Sequence, residues 1–172
     1  MTDAANKLIT RLNGKIILFV DDQRTTVGDY TRRLRSLGVT CETIDSLDQA
    51  VERINQSNPS PVGLVLVDLN MPSSRSTKLK KYFKIIHETP TSRNLGRALG
   101  LYLWYDTEIP YGYFSALTVL YGDGEGEFDG QDNYINFLID KVTIMPSKLP
   151  DALVKLLEDW DKVKPPVTGN AV

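Results

Sequence analysis

Residues 64–72 read Leu64-Val65-Leu66-Val67-Asp68-Leu69-Asn70-Met71-Pro72, an apolar run that ends on a carboxylate and then turns at a proline. Consecutive Val and Leu residues without polar alternation are typical of a strand buried on both faces, as in parallel sheets covered by helices. An acid is costly inside such a sheet, but it is tolerated at the carboxyl end of a strand, where open α/β sheets hold their ligands. We therefore expect Asp68 in a ligand-binding crevice.

A second apolar run, residues 16–20, also ends in acids, Asp21 and Asp22. A spacing in the mid-forties separates Asp22 from Asp68. Three carboxylates gathered at one edge of a sheet repel one another and raise each other's proton affinity unless a cation joins them. A hard, oxygen-seeking ion such as Mg²⁺ fits that need.

The composition favours one soluble domain. The chain has 172 residues, 41% hydrophobic and 24% charged, which is ordinary for a globular protein. A formal net charge of −2 gives no general electrostatic case for nucleic acid. No apolar stretch approaches the roughly 20 residues needed to cross a bilayer, and no signal peptide is apparent. With the single Cys41, these observations predict a cytoplasmic protein without nucleic-acid or membrane partners.

Strands and helices alternate over the first 70 residues. The predicted strands lie at about 15–20, 40–44 and 63–67. The first helix should end at Gly38 and the second should be capped by Ser46. Such alternation predicts right-handed βαβ units and a parallel sheet. Residues 1–13 are predicted to be an N-terminal extension whose apolar spacing is compatible with a short helix, and residues 162–172, with Pro165 and Pro166, are predicted to be a disordered tail.

From about Lys15 to Pro72 the chain resembles the receiver domain of two-component response regulators. The resemblance rests on the paired acids, the acid before x-Asn-Met-Pro, and the spacing between them. It implies an α/β fold, a three-layer, doubly wound, flavodoxin-like five-stranded parallel sheet with helices on both faces. The receiver domain is expected over residues 14–161, with insertions between strands three and five.

The resemblance also implies roles for individual residues. Asp68 would accept a phosphoryl group from a histidine kinase or a histidine phosphotransfer protein. Asp21, Asp22 and Asp68 would hold Mg²⁺ as the cofactor, with the backbone carbonyl of Asn70 as a further ligand. The chemistry is consistent with those roles, because a bound cation lowers the repulsion between an attacking carboxylate and an anionic phosphoryl group.

Receiver domains use two further groups, a hydroxyl on strand four and a lysine on strand five. The apolar run Leu99–Tyr105 favours strand four, which makes Thr107 the candidate hydroxyl. Thr118 is the alternative, because the number of sequence positions between it and the candidate lysine is close to the number usual in receiver domains. Glu108 follows Thr107 where the family prefers a small residue.

Strand five is predicted at residues 134–139, with Lys141 as the lysine and Lys148 as the alternative. The family places proline after this lysine, but here Val142 follows it. Pro146 comes later, so we expect a lengthened loop. Receivers often carry an aromatic relay residue three positions before the lysine, where Leu138 stands instead, with Phe137 one position away.

Two other signals have ordinary explanations. His87 lies near a helix end and is expected to cap it or face water. Residues 122–130 contain alternating acids, but an EF-hand requires glycine and glutamate where Phe128 and Tyr134 stand. We therefore expect an acidic loop there.

The leading hypothesis is a single-domain response regulator that signals through a separate protein partner, with no output domain expected after residue 161. Catalysis would be limited to its own phosphorylation and dephosphorylation. One alternative is a pseudo-receiver, an interaction module that works without phosphorylation. Another is a phosphatase of the haloacid dehalogenase type, which is disfavoured because Asn70 stands where that family needs a second aspartate.

Overall fold

The structure is a computed structural model that describes residues 2–56, 60–87, 95–116 and 137–163. Five parallel strands form one sheet in the order β2-β1-β3-β4-β5. Their bounds are β1 (Ile16–Val20), β2 (Cys41–Ile44), β3 (Val62–Val67), β4 (Tyr111–Ser115) and β5 (Leu138–Asp140). The predicted doubly wound, flavodoxin-like parallel sheet is confirmed.

Within the described residues, six α-helices surround the sheet. They are α1 (Asp3–Leu12), α2 (Gly28–Ser36), α3 (Leu47–Ile54), α4 (Lys80–His87), α5 (Gly96–Asp106) and α6 (Leu149–Val163). Short 3-10 helices precede two of them, at Arg24–Val27 and Pro146–Lys148. Among the described helices, none is long and apolar enough to cross a membrane.

Neighbouring residues of β4 face different helices. A Cβ placed on Gly112 would meet Leu156 of α6, whereas Tyr113 reaches Gly100 of α5. Because successive side chains of a strand point to opposite faces, α6 and α5 cover opposite faces of the sheet. Helix α1 packs on α6, and α4 packs on α5. Both faces of the sheet are therefore covered.

The first half of the chain follows its sequence signals closely. Every residue of β1 is buried, as expected for an apolar run without polar alternation. Ser46 caps α3 by accepting a hydrogen bond from the backbone N–H of Gln49 at 3.2 Å. Gly38 follows α2 with a φ of +85°, the left-handed conformation that ends helices.

The prediction of a strand at Leu99–Tyr105 is wrong, because these residues lie within helix α5. A short apolar run cannot be assigned to a strand or a buried helix by periodicity alone. Here α5 lies between the sheet and α4, so residues all round it are buried, including Leu99, Leu101 and Leu103. A helix buried on all sides has no polar stripe that would identify it.

Two glycines one helical turn apart let α5 approach the strands. A Cβ on Gly96 would lie 1.9 Å from the backbone oxygen of Asp68, and one on Gly100 would lie 1.9 Å from Tyr113 Oη. The backbone N–H of Gly96 also donates to Leu69 O at 3.1 Å. The start of α5 is thus packed directly against the backbone that carries Asp68.

Several predicted boundaries need adjustment. Helix α6 continues to Val163, so the tail predicted from Lys162 begins two residues too early. Helix α1 occupies most of the predicted extension. Residues 117–136, which contain Thr118, the acidic loop 122–130 and the start of the predicted fifth strand, lie outside the described residues. So do residues 164–172.

We predict that Gly96→Ala destabilises the protein by at least about 2 kcal/mol, because overpacking against backbone cannot be relieved by a side-chain rotation. Gly28→Ala is the matched control, since Gly28 is helical and a Cβ there meets nothing within 4 Å. The control should change the free energy of unfolding by no more than about 1 kcal/mol. Urea denaturation measures both, and equal stabilities would contradict the close packing at Gly96.

Candidate functional site

Four side chains meet at the carboxyl edge of the sheet. Asp21 follows β1, Asp68 follows β3, Ser115 ends β4 and Lys141 follows β5. Strands β1 and β3 are neighbours although β2 lies between them in sequence, and crevices at such switch points bind ligands in open α/β sheets. The fold therefore brings acids, a hydroxyl and an amine to one place.

Backbone hydrogen bonds fix the positions of these residues. The N–H of Asp21 donates to Ile44 O at 2.9 Å, and that of Asp68 donates to Val20 O at 2.8 Å. The N–H of Lys141 donates to Ser115 O at 3.2 Å. The functional side chains are thus attached to the ends of the sheet rather than to free loops.

Three carboxylates are close enough to share one ion. Asp21, Asp22 and Asp68 each offer an oxygen, and these oxygens lie within 4.8 Å of one another. Asp21 and Asp68 are buried, whereas Asp22 is exposed. An all-oxygen set with one open side matches the preference of Mg²⁺ for hard ligands and for retaining water. The residues present therefore fit this ion.

Both oxygens of Asp68 accept hydrogen bonds. Oδ1 accepts from Ser115 Oγ at 2.8 Å and from the backbone N–H of Asn70 at 3.2 Å. Oδ2 accepts from Lys141 Nζ at 2.7 Å. Asp68 is therefore oriented by a hydroxyl on one side and by an ammonium group on the other.

Lys141 joins the two buried acids. Its Nζ also donates to Asp21 Oδ2 at 2.8 Å, and its side chain is 10% exposed. Burial by itself would lower the pKa of Lys141, but the hydrogen bonds and negative charges of Asp21 and Asp68 outweigh it and raise the pKa above its ordinary value. One ammonium group faces three carboxylates, so the site keeps a net negative charge that suits a cation.

Asp21 is oriented by the turn that follows it. Its Oδ1 accepts from the backbone N–H of Gln23 at 2.8 Å, and its Oδ2 accepts from Thr26 Oγ1 at 3.0 Å. An aspartate that bonds the backbone two residues later is a local turn motif. The second acid, Asp22, is exposed and lies at the open side of the group of carboxylates.

A cleft of about 520 Å³ opens beside Asp68. Its wall includes Asn70, Ser115, Ala116 and Lys141. The cleft gives a small anion access to the buried carboxylate, with a cationic and a hydroxyl group at its base.

Of the predicted site residues, the structure brings together Asp21, Asp22, Asp68, Asn70 and Lys141. It does not bring in Thr107 or Lys148. Thr107 lies before the amino end of β4, where its Oγ1 donates to Leu103 O at 2.8 Å. Thr107 was the predicted hydroxyl because residues 99–105 were predicted to form strand four, but these residues are helical.

The alternative Lys148 ends a 3-10 helix, is exposed, and does not line the cleft. His87 is the last residue of α4. Phe137, adjacent to the predicted relay position, is buried, and its ring lies 5.7 Å from that of Tyr111.

The hydroxyl beside Asp68 is Ser115, which the sequence argument missed. Its signal was present: residues 111–115 form an apolar run that ends in a hydroxyl, and the small residue Ala116 follows. Once residues 96–106 are helical, residues 111–115 become the only described strand between β3 and β5. Ala116 then supplies the small residue that is expected after the hydroxyl, whereas Glu108 follows Thr107.

No protein-family model matches the chain, and no curated protein matches it in sequence. Solved structures resemble it in fold. The receiver domain of the PhyR response regulator from Erythrobacter litoralis aligns over 84% of this chain and 91% of its own length, with a TM-score of 0.53 and 18% identity. A sensor protein from Polaromonas sp. JS666 aligns over 85% and 98%, with a TM-score of 0.52 and 18% identity.

A fusion protein carrying a trimeric coiled-coil segment of yeast Spc42 aligns over 86% of this chain and 80% of its own length. Its TM-score is 0.57 at 16% identity. At such low identities the comparisons establish the fold alone. Together with the strand order, they show that this chain has the receiver-domain fold.

We predict that Lys141→Met lowers the free energy of unfolding by roughly 3 kcal/mol, because it leaves two buried carboxylates without their cation. Added Mg²⁺ should recover more stability in this variant than in the wild type, since no ammonium group competes for the same oxygens. Lys148→Met is the control and should change stability by less than about 0.5 kcal/mol. Thermal unfolding with and without Mg²⁺ measures both effects, and equal behaviour of the two variants would contradict the central position of Lys141.

Proposed function

We propose that the protein is a signalling receiver that accepts a phosphoryl group on Asp68 from a histidine kinase or a histidine phosphotransfer protein. One observation carries the proposal: a hydroxyl and an ammonium group converge on the two oxygens of one buried carboxylate. This is an arrangement that can orient Asp68 and then bind the oxygens of a group attached to it.

The reaction transfers a phosphoryl group from a histidine nitrogen of the donor to a carboxylate oxygen of Asp68. A carboxylate oxygen of Asp68 forms a bond to phosphorus as the phosphorus–nitrogen bond of the donor's phosphohistidine breaks. The bonding electrons remain on the imidazole nitrogen of the donor, which takes up a proton. The product is an acyl phosphate, the covalent form used by aspartyl-phosphate proteins.

Asp21, Asp22 and Asp68 would hold Mg²⁺, together with the backbone carbonyl of Asn70. The ion would supply positive charge that offsets the repulsion between the carboxylate and the incoming phosphoryl group. Lys141 adds a fixed positive charge, and Ser115 adds a hydrogen-bond donor at the end of β4. Both groups already contact the oxygens of Asp68, so they lie beside the position that a phosphoryl group would take.

Phosphorylation would change the contacts of Lys141. In the unmodified site, Lys141 bonds both Asp21 and Asp68. A phosphoryl group adds negative charge and new acceptor oxygens, which gives Lys141 and Ser115 different partners. Since Lys141 follows β5 and Ser115 ends β4, such a change can alter the surface beside those strands and be recognised by a partner protein.

We predict that beryllofluoride, which mimics a phosphoryl group on a carboxylate, binds the wild type in the presence of Mg²⁺ and leaves Asp68→Asn unaffected. Beryllofluoride binding should be lost in this variant because an amide lacks the negatively charged oxygen of the carboxylate. Asp161→Asn is the matched control, since Asp161 pairs with Arg11 at the far end of α6. Amide chemical shifts and calorimetry measure the binding.

The control variant should bind as the wild type does. If wild type and Asp68→Asn respond alike, the phosphoacceptor role fails. Failure to bind Mg²⁺ as well would favour a pseudo-receiver, which keeps the fold but acts without phosphorylation.

We predict that Ser115→Ala weakens beryllofluoride binding about tenfold, because one hydrogen bond to the bound group is lost. Thr107→Ala should leave the affinity within about twofold, since Thr107 bonds only within its own turn among the described residues. Calorimetric titration of both variants at saturating Mg²⁺ decides the point. A larger loss in Thr107→Ala than in Ser115→Ala would reverse the assignment of the hydroxyl.

A further inference from the structure

Tyr30 lies on α2, outside the group of residues that bond Asp68. Its hydroxyl reaches two backbone carbonyls, Lys141 O at 2.7 Å and Ile144 O at 2.9 Å. A tyrosine hydroxyl has one proton, so the donor is shared between the two oxygens. Both belong to residues 141–145, which we call the β5–α6 loop. Tyr30 thus ties this loop to α2.

We propose that Tyr30 is a positioning residue for Lys141: its hydroxyl holds the backbone of the β5–α6 loop so that the ammonium group of Lys141 is aimed at the phosphoryl group on Asp68. This inference rests on the function proposed above. Tyr30 also lines the cleft beside Asp68, but its hydroxyl bonds the two loop carbonyls, so its proposed effect on the phosphoryl group runs through Lys141.

The β5–α6 loop continues after Lys141 with Val142, which lacks the ring that fixes φ in proline and is 71% exposed. Asp140, the last residue of β5, accepts hydrogen bonds from the backbone N–H of Val142 at 2.9 Å and from Thr143 Oγ1 at 3.0 Å. These contacts tie the start of the loop to β5, whereas Tyr30 ties the loop to α2.

The ring of Tyr30 is fixed as firmly as its hydroxyl. It packs edge-on against Phe114, with ring centroids 4.9 Å apart and an interplanar angle of 83°. Phe114 directly precedes Ser115 in β4. One side chain therefore spans from the strand that carries the hydroxyl of the site to the loop that carries its ammonium group.

The backbone of Lys141 is held on both sides of its Cα. Its N–H donates to Ser115 O at 3.2 Å, and its carbonyl accepts from Tyr30. Without the tyrosine hydroxyl the carbonyl can turn to water, and the loop samples more conformations. Lys141 must then be ordered when a phosphoryl group binds, which reduces affinity.

The test is Tyr30→Phe in the full chain, which keeps the ring and removes the hydroxyl. Beryllofluoride affinity at saturating Mg²⁺ should fall roughly three- to tenfold, as expected for the loss of one hydrogen bond. Mg²⁺ affinity should stay within about twofold, because the three carboxylates are untouched. Amide hydrogen exchange of Ile144 should be faster in the ligand-free variant, since its N–H bonds Asp140 O at the end of β5 and so spans the loop.

Tyr82→Phe is the matched control. Tyr82 is likewise buried, and its hydroxyl donates to Asp106 at 2.8 Å, away from the site. This variant should lose stability without losing beryllofluoride affinity or changing exchange at Ile144. The comparison separates loss of a buried hydroxyl from loss of the contact with Lys141.

The outcomes distinguish the two proposals. If the wild type binds beryllofluoride and Tyr30→Phe binds it equally well, the positioning role is overturned while the receiver function stands. A parallel fall in Mg²⁺ and beryllofluoride affinity would also overturn it, since general loosening of the site would explain both. If the wild type does not bind beryllofluoride, the receiver function fails, and unchanged exchange at Ile144 would remove the loop-holding role of Tyr30 as well.

Discussion

The ammonium group of Lys141, placed between Asp21 and Asp68, is the interaction on which the site depends. Buried carboxylates are tolerated when a charge of opposite sign and hydrogen bonds compensate for lost water. Lys141 supplies both, and it reaches the acids only because β5, β3 and β1 end at the same edge of one parallel sheet. The topology of the fold and the electrostatics of the site are thus one constraint.

The first half of the fold could be predicted from sequence because its signals are local. Apolar runs, a capping serine and a stopping glycine each act within a few residues, and the acids follow the strands directly. The second half could not, for physical reasons that α5 illustrates. A helix covered on both sides is apolar all round, so Leu99–Tyr105 has no periodicity to distinguish it from a strand.

The wrong strand assignment also led to the wrong prediction of which hydroxyl lies beside Asp68. Assigning residues 99–105 to a strand placed Thr107 at its end, and Ser115 was passed over although Ala116 follows it. Lys141 lies against Asp68 directly after β5, where the sequence predicted the lysine of the site. The contact of Tyr30 with the β5–α6 loop joins residues more than a hundred positions apart and has no local signature.

Helix α4 affects which positions of this chain tolerate substitution. Because α4 covers the outer side of α5, the central turns of α5 have no position that faces water, and Gly96 and Gly100 fix how closely its backbone approaches the sheet. The effect of a substitution in α5 on stability should therefore depend on side-chain volume and shape, as in a core strand, rather than on the polarity of one face. Variation can accumulate on the exposed side of α4, whose lysines meet solvent, while the helix beneath it keeps the backbone of Asp68 in place.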